Sequence, residues 1–175
     1  MNAQDIFNRL VEKHGDAVSD FRAGDLDPCC FVQPWSWPEV ARTLRDDPQL
    51  RFDFLDCVTG VDWPDKGQIH VVFHLFSYVH KHAFVVKAAL DRADPVLPSV
   101  VPVWSVANWQ ERECYDLLGV IFEGHPDLRR VLLPPDWEGY PLRKDYEESD
   151  DYHGIPTTRP VPLELLKSPP AAKPS

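Results

Sequence analysis

Three carboxylates, Glu111, Glu113 and Asp116, sit close together in the stretch NWQERECYDLLG (108–119). Carboxylates so grouped can serve as a general acid and base when their surroundings push their pKa values apart. Here Arg112, Arg129, Arg130 and Arg143 are near in sequence and are expected to keep the carboxylates ionised. Arginine also bridges carboxylates bidentately, so the expected use is a structural or intersubunit ion network, not proton transfer. The histidines fit a metal poorly. His70 and His74 on a strand share one side but stand roughly 13 Å apart, too far for one ion, and His80 and His82 fall in a turn beyond them. His125, in Gly-His-Pro, reads as a polar anchor of an ordered turn. Cys114 has acidic neighbours, which raise a thiol's pKa, so an inert, packed cysteine is expected.

No glycine-rich phosphate loop of either common spacing occurs. Cys29, Cys30, Cys57 and Cys114 do not form a CxxC pair or a ferredoxin-like series. Hydride transfer, flavin anchoring and iron–sulfur ligation therefore have no sequence support, and no cofactor is expected in this chain. The formal charge of −10 argues against a nucleic-acid grip and against direct docking on anionic lipid. No run approaches a membrane span, and the N-terminal stretch lacks the apolar core of a signal peptide. A cytoplasmic chain with reduced thiols, touching membrane only through partners, is expected.

The elements that must position these groups follow from periodicity and caps. Residues 4–14 place Ile6, Phe7, Leu10 and Val11 on one helical face, ended by Gly15. Short strands are expected over 17–22 and 29–33. Ser36 with Glu39 forms a capping-box pattern before a helix carrying Val40 and Leu44 and closed by Pro48. Strands over 51–61, 69–79 and 83–90 come next, the middle one apolar enough to be central. This order predicts an α+β fold: a two-layer sandwich, helix–strand–strand–helix–three strands, with helices on one face of a mixed sheet. A short helix over 108–118 follows, capped by Asn108 with Glu111 and stopped by Gly119.

Most of the 18 prolines come after residue 92, so the chain divides into a core module (1–92), the signature helix with an arm (93–149), and an acidic, proline-rich tail (150–175) that is expected to be flexible. In the tail only Leu163, Leu165 and Leu166 offer an anchor. Within the arm, Pro126, Pro134, Pro135 and Pro141 forbid regular structure, while Leu128, Val131, Leu132, Leu133, Trp137, Tyr140 and Leu142 are apolar. Ordering such a segment in water costs about 1–2 kcal/mol per residue, comparable with what its apolar groups return on burial. The arm is thus expected to become fully ordered only against another surface.

The composite E-R-E-x2-D-L-L-G (111–119), G-H-P-D-L-R-R (124–130) and L-P-P-D-W-E-G-Y-P-L-R-K-D-Y (133–146), with the weaker V-W-S-V-A-N-W (103–109), resembles the signature of the C subunit of the NADH–quinone oxidoreductase (respiratory complex I) family. The likeness covers most of residues 52–146. It implies a mixed-sheet fold and a non-catalytic, structural role in the peripheral arm, on the cytoplasmic side of the cell inner membrane. The implied partners are the hydrogenase-large-subunit-like D subunit, which the chain would clamp beside the quinone chamber, and neighbouring iron–sulfur subunits. FMN and iron–sulfur clusters would lie in those partners, and electrons would pass from NADH to quinone in the assembled, proton-translocating complex. On this likeness Glu111, Arg112, Glu113 and Asp116 form the helix's ion network. His125, Arg129 and Arg130 fix the turn onto the partner, and Trp137, Tyr140, Arg143, Lys144 and Asp145 dock the distal arm. Leu118, where a bulkier residue is common, and Glu123, before Gly-His-Pro, are slight departures. Membrane-bound hydrogenases and ferredoxin- or F420-linked quinone oxidoreductases contain an equivalent subunit, which is the alternative reading.

Overall fold

The longest apolar run becomes the centre of a sheet. In the computed structural model, which describes residues 1–24 and 27–157, that run is β4 (Gln68–Ser77). It pairs antiparallel with β3 (Phe54–Trp63) on one side and β5 (His82–Asp91) on the other. β2 (Cys29–Val32) joins β5 in parallel, and β1 (Val18–Arg22) pairs antiparallel with β2, giving the mixed order β1-β2-β5-β4-β3. The two-residue period of the pleat divides β4. Ile69, Val71, Phe73 and Leu75 enter the main core, and Val72 belongs to a small cluster with Cys29 and Val85.

Two helices cover the first side. α1 (Ala3–His14) opens with a reciprocal Asn2–Asp5 capping box and ends at Gly15 (φ +56°). α2 (Trp37–Asp46) sends Trp37, Val40, Ala41 and Leu44 inward, with Trp37 packed 4.4 Å from the Phe73 ring. The Ser36–Glu39 capping box does not form. A single 3-10 turn over Pro34–Ser36 runs directly into α2, so Ser36 is already helical and its side chain does not cap.

Beyond β5 the same core continues. β6 (Val96–Pro98) pairs in parallel with β7 (Ile121–Glu123), and between them runs α3 (Ala107–Leu118). Leu97, Val100, Val103, Trp104, Ala107, Cys114, Leu118, Val120 and Phe122 belong to one buried cluster with the residues of α1, α2 and the sheet. The chain parts instead at residue 144, Met1–Lys144 forming one compact unit and the second beginning at Asp145. In the second unit β8 (Asp151–Tyr152) and β9 (Ile155–Pro156) make a small hairpin whose two turn residues, His153 and Gly154, both have positive φ. The greater part of the tail, including Leu163, Leu165 and Leu166, lies outside the described residues.

The histidines of the β4–β5 turn pin it to the segment after α2. His80 Nε2 lies 2.9 Å from the Pro48 carbonyl and His82 Nε2 2.8 Å from that of Leu50. The same segment holds a buried carboxylate. Asp47 accepts from Arg9 at 2.7 and 3.0 Å, from Lys13 at 2.5 Å and from the Gln49 amide at 2.9 Å, tying α1 to the end of α2. Burial alone would raise its pKa, but the donors from Arg9, Lys13 and Gln49 outweigh it and leave the carboxyl well below the usual range. Because the folded pKa is depressed, this stabilisation is present above the unfolded value and is lost as pH falls through the folded one. Asp47→Asn is expected to lose roughly 2–3 kcal/mol in urea unfolding at pH 7. The gap from wild type should narrow in acid, and a gap that is constant with pH would contradict the assignment.

Candidate functional site

α3 is the helix that the sequence marks for chemistry, and its surroundings use nearly every polar group on it. It starts at Ala107, one residue before the expected cap, so Asn108 is helical and makes no cap with Glu111. Glu111 turns outward from the helix instead. Its Oε2 accepts from Ser99 Oγ at 2.6 Å and its Oε1 from the Val100 amide at 2.8 Å, fixing the turn after β6. Gly119 ends the helix in the left-handed region (φ +76°), as expected. The Tyr140 ring lies so close that a Cβ at residue 119 would stand 2.6 Å from it.

The arm lies against this helix. Asp116 is fully buried, and its Oδ2 accepts three successive backbone amides, Val131 at 2.9 Å, Leu132 at 2.7 Å and Leu133 at 3.0 Å. Its Oδ1 accepts Arg130 Nη1 at 2.7 Å. This is a nest of amides closed on a carboxylate. Arg130 directs its remaining donors to the carbonyls of Asp116, Trp137 and Gly139, at 3.0, 3.1 and 3.1 Å. Arg112 donates to the carbonyls of Arg129 and Arg130 and lies 4.8 Å over the Trp109 ring. Arg143 donates to the Leu118 carbonyl at 2.8 Å, and the Arg130 and Arg143 guanidinium groups both lie over Tyr140. His125 bridges Asn108 O and the Asp127 amide through its two ring nitrogens. The arm closes at the sheet, where the Lys144 amide donates to Asp62 at 2.8 Å.

Two expectations are thereby corrected. The arm's polar groups find their match within the chain, because Asp116 gathers amides that otherwise have no regular partner. The four helix residues do not form one ion network either. Arg112 bonds carbonyls, Glu113 is exposed, and among the described residues only Asp116 has an arginine partner. Of the residues assigned to docking, Glu111, Arg112, Asp116, His125, Arg130, Tyr140 and Arg143 are engaged in this internal structure. Trp137 is half-buried, with its carbonyl taken by Arg130. Glu113, Arg129 and Lys144 reach solvent, and Asp145 belongs to the second unit. Beside the outward-facing ones stand Trp109, 65% exposed, and Leu132, 63% exposed.

The two buried carboxylates of α3 titrate in opposite directions. Burial would raise Asp116, but the Leu133, Leu132 and Val131 amides and Arg130 together hold it below its ordinary value. Burial pushes Glu111 up to about 7, and Ser99 and Val100 offset only part of that. The expectation that neighbouring arginines keep the cluster ionised is met only in part at Asp116, where the Leu133 and Leu132 amides come before Arg130, and fails for Glu111, on which no arginine acts among the described residues. Cys114 is raised by burial and by neighbouring acidic groups, in keeping with an inert thiol.

A family model described as "Respiratory-chain NADH dehydrogenase, 30 Kd subunit" matches residues 30–152. The chain belongs to that family. A relative from Chloroherpeton thalassium, the C subunit of an NADH-quinone oxidoreductase by name, is 48% identical over 148 residues, covering 83% of this chain and 61% of its own length. One of the same name from Chlorobium phaeobacteroides is 47% identical, with 85% and 91% covered. The chain therefore spans less than two thirds of the first relative and most of the second. Among solved structures, the trypsin-resistant fragment (1–134) of Nqo5 matches with a TM-score of 0.58 at 29% identity, covering 73% of this chain and 100% of the fragment. A chain of an archaeal membrane-bound sulfane sulfur reductase shares the fold, with a TM-score of 0.70 at 24% identity and 84% and 86% covered. The mixed α+β architecture of this chain is thus the one its signature implied.

Three residues central to the site carry no motif. Asp62, buried among β3's alternating residues, accepts Arg92 at 2.7 and 3.0 Å besides Lys144. Arg92 and the Lys144 amide hold it below its ordinary pKa against the opposing effect of burial. Gln110 accepts from the Val58 amide at 2.9 Å and donates to the Asp56 carbonyl at 3.2 Å. Ser99 is the third. None of the three had a signal, since Asp62 falls one residue beyond the strand expected over 51–61.

Two outcomes follow. Since Glu111 is raised when folded, its contribution is full below about pH 4.5 and is lost as pH rises through about 7. Glu111→Gln should therefore gain on wild type by up to ~3 kcal/mol between pH 5 and 8 in denaturant titrations, and parallel curves would refute the buried acid. Asp116→Asn should lose roughly 3–5 kcal/mol and expose the Arg129 and Arg143 bonds to trypsin. Unchanged cleavage would show that the nest does not hold the arm.

Proposed function

We propose that the chain is the non-catalytic, structural C subunit of a proton-translocating NADH–quinone oxidoreductase, clamping the D subunit in the peripheral arm near the iron–sulfur subunits. The assembled complex passes electrons from NADH to quinone on the cytoplasmic side of the inner membrane, with FMN and iron–sulfur clusters in the partners. The observation that carries this reading is the arm itself, set on α3 by Asp116 and Arg130 with Trp109, Arg129 and Leu132 turned outward. A surface fixed before association loses less conformational freedom on docking than a loose arm would. Of the carboxylates that resemble an acid–base site, Asp116 is committed to holding this surface and Glu111 to fixing the turn after β6, which supports a geometric role. Among the described residues no helix is long and apolar enough to cross a membrane, so attachment through partners fits the chain.

Purification of the complex from solubilised membranes tests the assignment. The chain should come down with subunits showing flavin and iron–sulfur spectra, and the preparation should oxidise NADH with quinone. Reduction by ferredoxin or F420 in place of NADH would assign it to the related complexes, and activity of the chain alone would end the structural reading. Among the described residues the Arg129 side chain pairs only with exposed Asp127, so Arg129→Ala should leave the chain's melting temperature within about 1 °C of wild type while reducing assembled complex. Equal assembly would remove Arg129 from the interface.

A further inference from the structure

The side of the sheet facing away from α1 and α2 carries a feature that the arm does not use. At one end of this face, Val61 is opposite His70, Trp63 is opposite Gln68, and Val72 lies between Thr59 and Lys87. On the neighbouring strand Phe31 stands opposite Lys87. Trp63 is 41% exposed and Val61 38%. The His70 ring lies between Trp63 and Phe31, with centroids 5.9 and 5.3 Å away. Lys66 Nζ sits 4.6 Å over Trp63 and the Arg22 guanidinium 5.6 Å over Phe31. The result is an aromatic floor with three cations, Arg22, Lys66 and Lys87, on a chain whose net charge is −10.

None of the three pairs with a carboxylate among the described residues. The nearby Asp91 is turned into its own loop, accepting the Ala93 amide at 2.9 Å, and Asp65 precedes Lys66 in the turn. His70 is lowered by burial and then by Lys66, Lys87 and Arg22, so the field over this end of the face is positive. We propose that this end of the open sheet face is a second docking surface, fitted to an acidic segment of a partner polypeptide. Lys66, Lys87 and Arg22 meet its carboxylates, and Trp63 and Phe31 pack against its apolar atoms.

Charge complementarity selects that occupant. A duplex or a single-stranded nucleic acid needs a longer cationic track than three residues on an acidic chain provide. An anionic lipid surface would face the rest of an acidic molecule of net charge −10. Aromatic residues and arginine are enriched at the centre of protein interfaces. Cations already resting on rings keep much of their stabilisation when a partner excludes water.

This inference rests on the reading of the chain as part of a larger complex, and its test keeps the two apart. The complex purified from membranes and the purified full chain are treated in parallel with an amine-acylating reagent and, separately, with a zero-length carbodiimide cross-linker, then mapped by mass spectrometry. In the assembled complex Lys66 and Lys87 should lose their acylation and join Asp or Glu side chains of another polypeptide. Equal reactivity in both samples overturns the inference while leaving the reading as a complex component intact. So do cross-links confined to this chain's own carboxylates, or protection that disappears when lipid is removed. Failure of the chain to come down with the complex defeats both. The double variant Lys66→Glu/Lys87→Glu, with an unchanged melting temperature, should lose the cross-linked partner, and full retention of that partner also counts against the proposal.

Discussion

One carboxylate decides the shape of a segment that has almost no regular structure. Asp116 is removed from water, and a charge so placed needs a full set of donors. The donors are three consecutive amides and a guanidinium, all supplied by residues 130–133. These amides belong to a proline-rich stretch that can pair with neither helix nor sheet, so they lack partners until the carboxylate provides one. The need is mutual, and it fixes both the position and the register of the arm. Arg130 extends the effect by tying the carbonyls of Trp137 and Gly139 to the same point, and Tyr140 then closes over Gly119, where no side chain could stand.

Glu111 shows how strongly surroundings govern the same functional group. It stands on the same helix as Asp116 but faces the turn after β6, where a hydroxyl and one amide are its donors. No cation among the described residues reaches it, and burial prevails. A proton held near neutral pH is therefore a by-product of how α3 is fastened to the core. The same arithmetic of donors against burial leaves Asp47 and Asp62 ionised, each with an arginine and a backbone amide.

Much of the fold was legible in local pattern. The apolar run of β4, the alternation beside it and the stop at Gly119 each follow from residues close in sequence. The site was legible only in its membership, because Asp116, Arg130 and Tyr140 stand in a recognisable signature. Their bonding was not. An extended arm offers its amides to whatever carboxylate is near, and sequence spacing does not say that Asp116, 15 to 17 residues upstream, is that carboxylate. The failed caps at Ser36 and Asn108 have the same cause, since tertiary partners and an adjoining turn override a pattern that looks complete on its own.

Gln110 has a consequence for how any neighbour can hold this molecule. Its amide group takes up a donor and an acceptor of the outer strand β3, while Cys114 approaches the Val58 carbonyl. At the opposite border β1 is broken by an irregular register beside Asp20, which has positive φ. With one rim occupied at Asp56–Val58 and the other bent, the sheet is a poorer template for β-augmentation by a foreign peptide. Recognition is then favoured through side chains on its surfaces, where charge and shape can discriminate one companion from another.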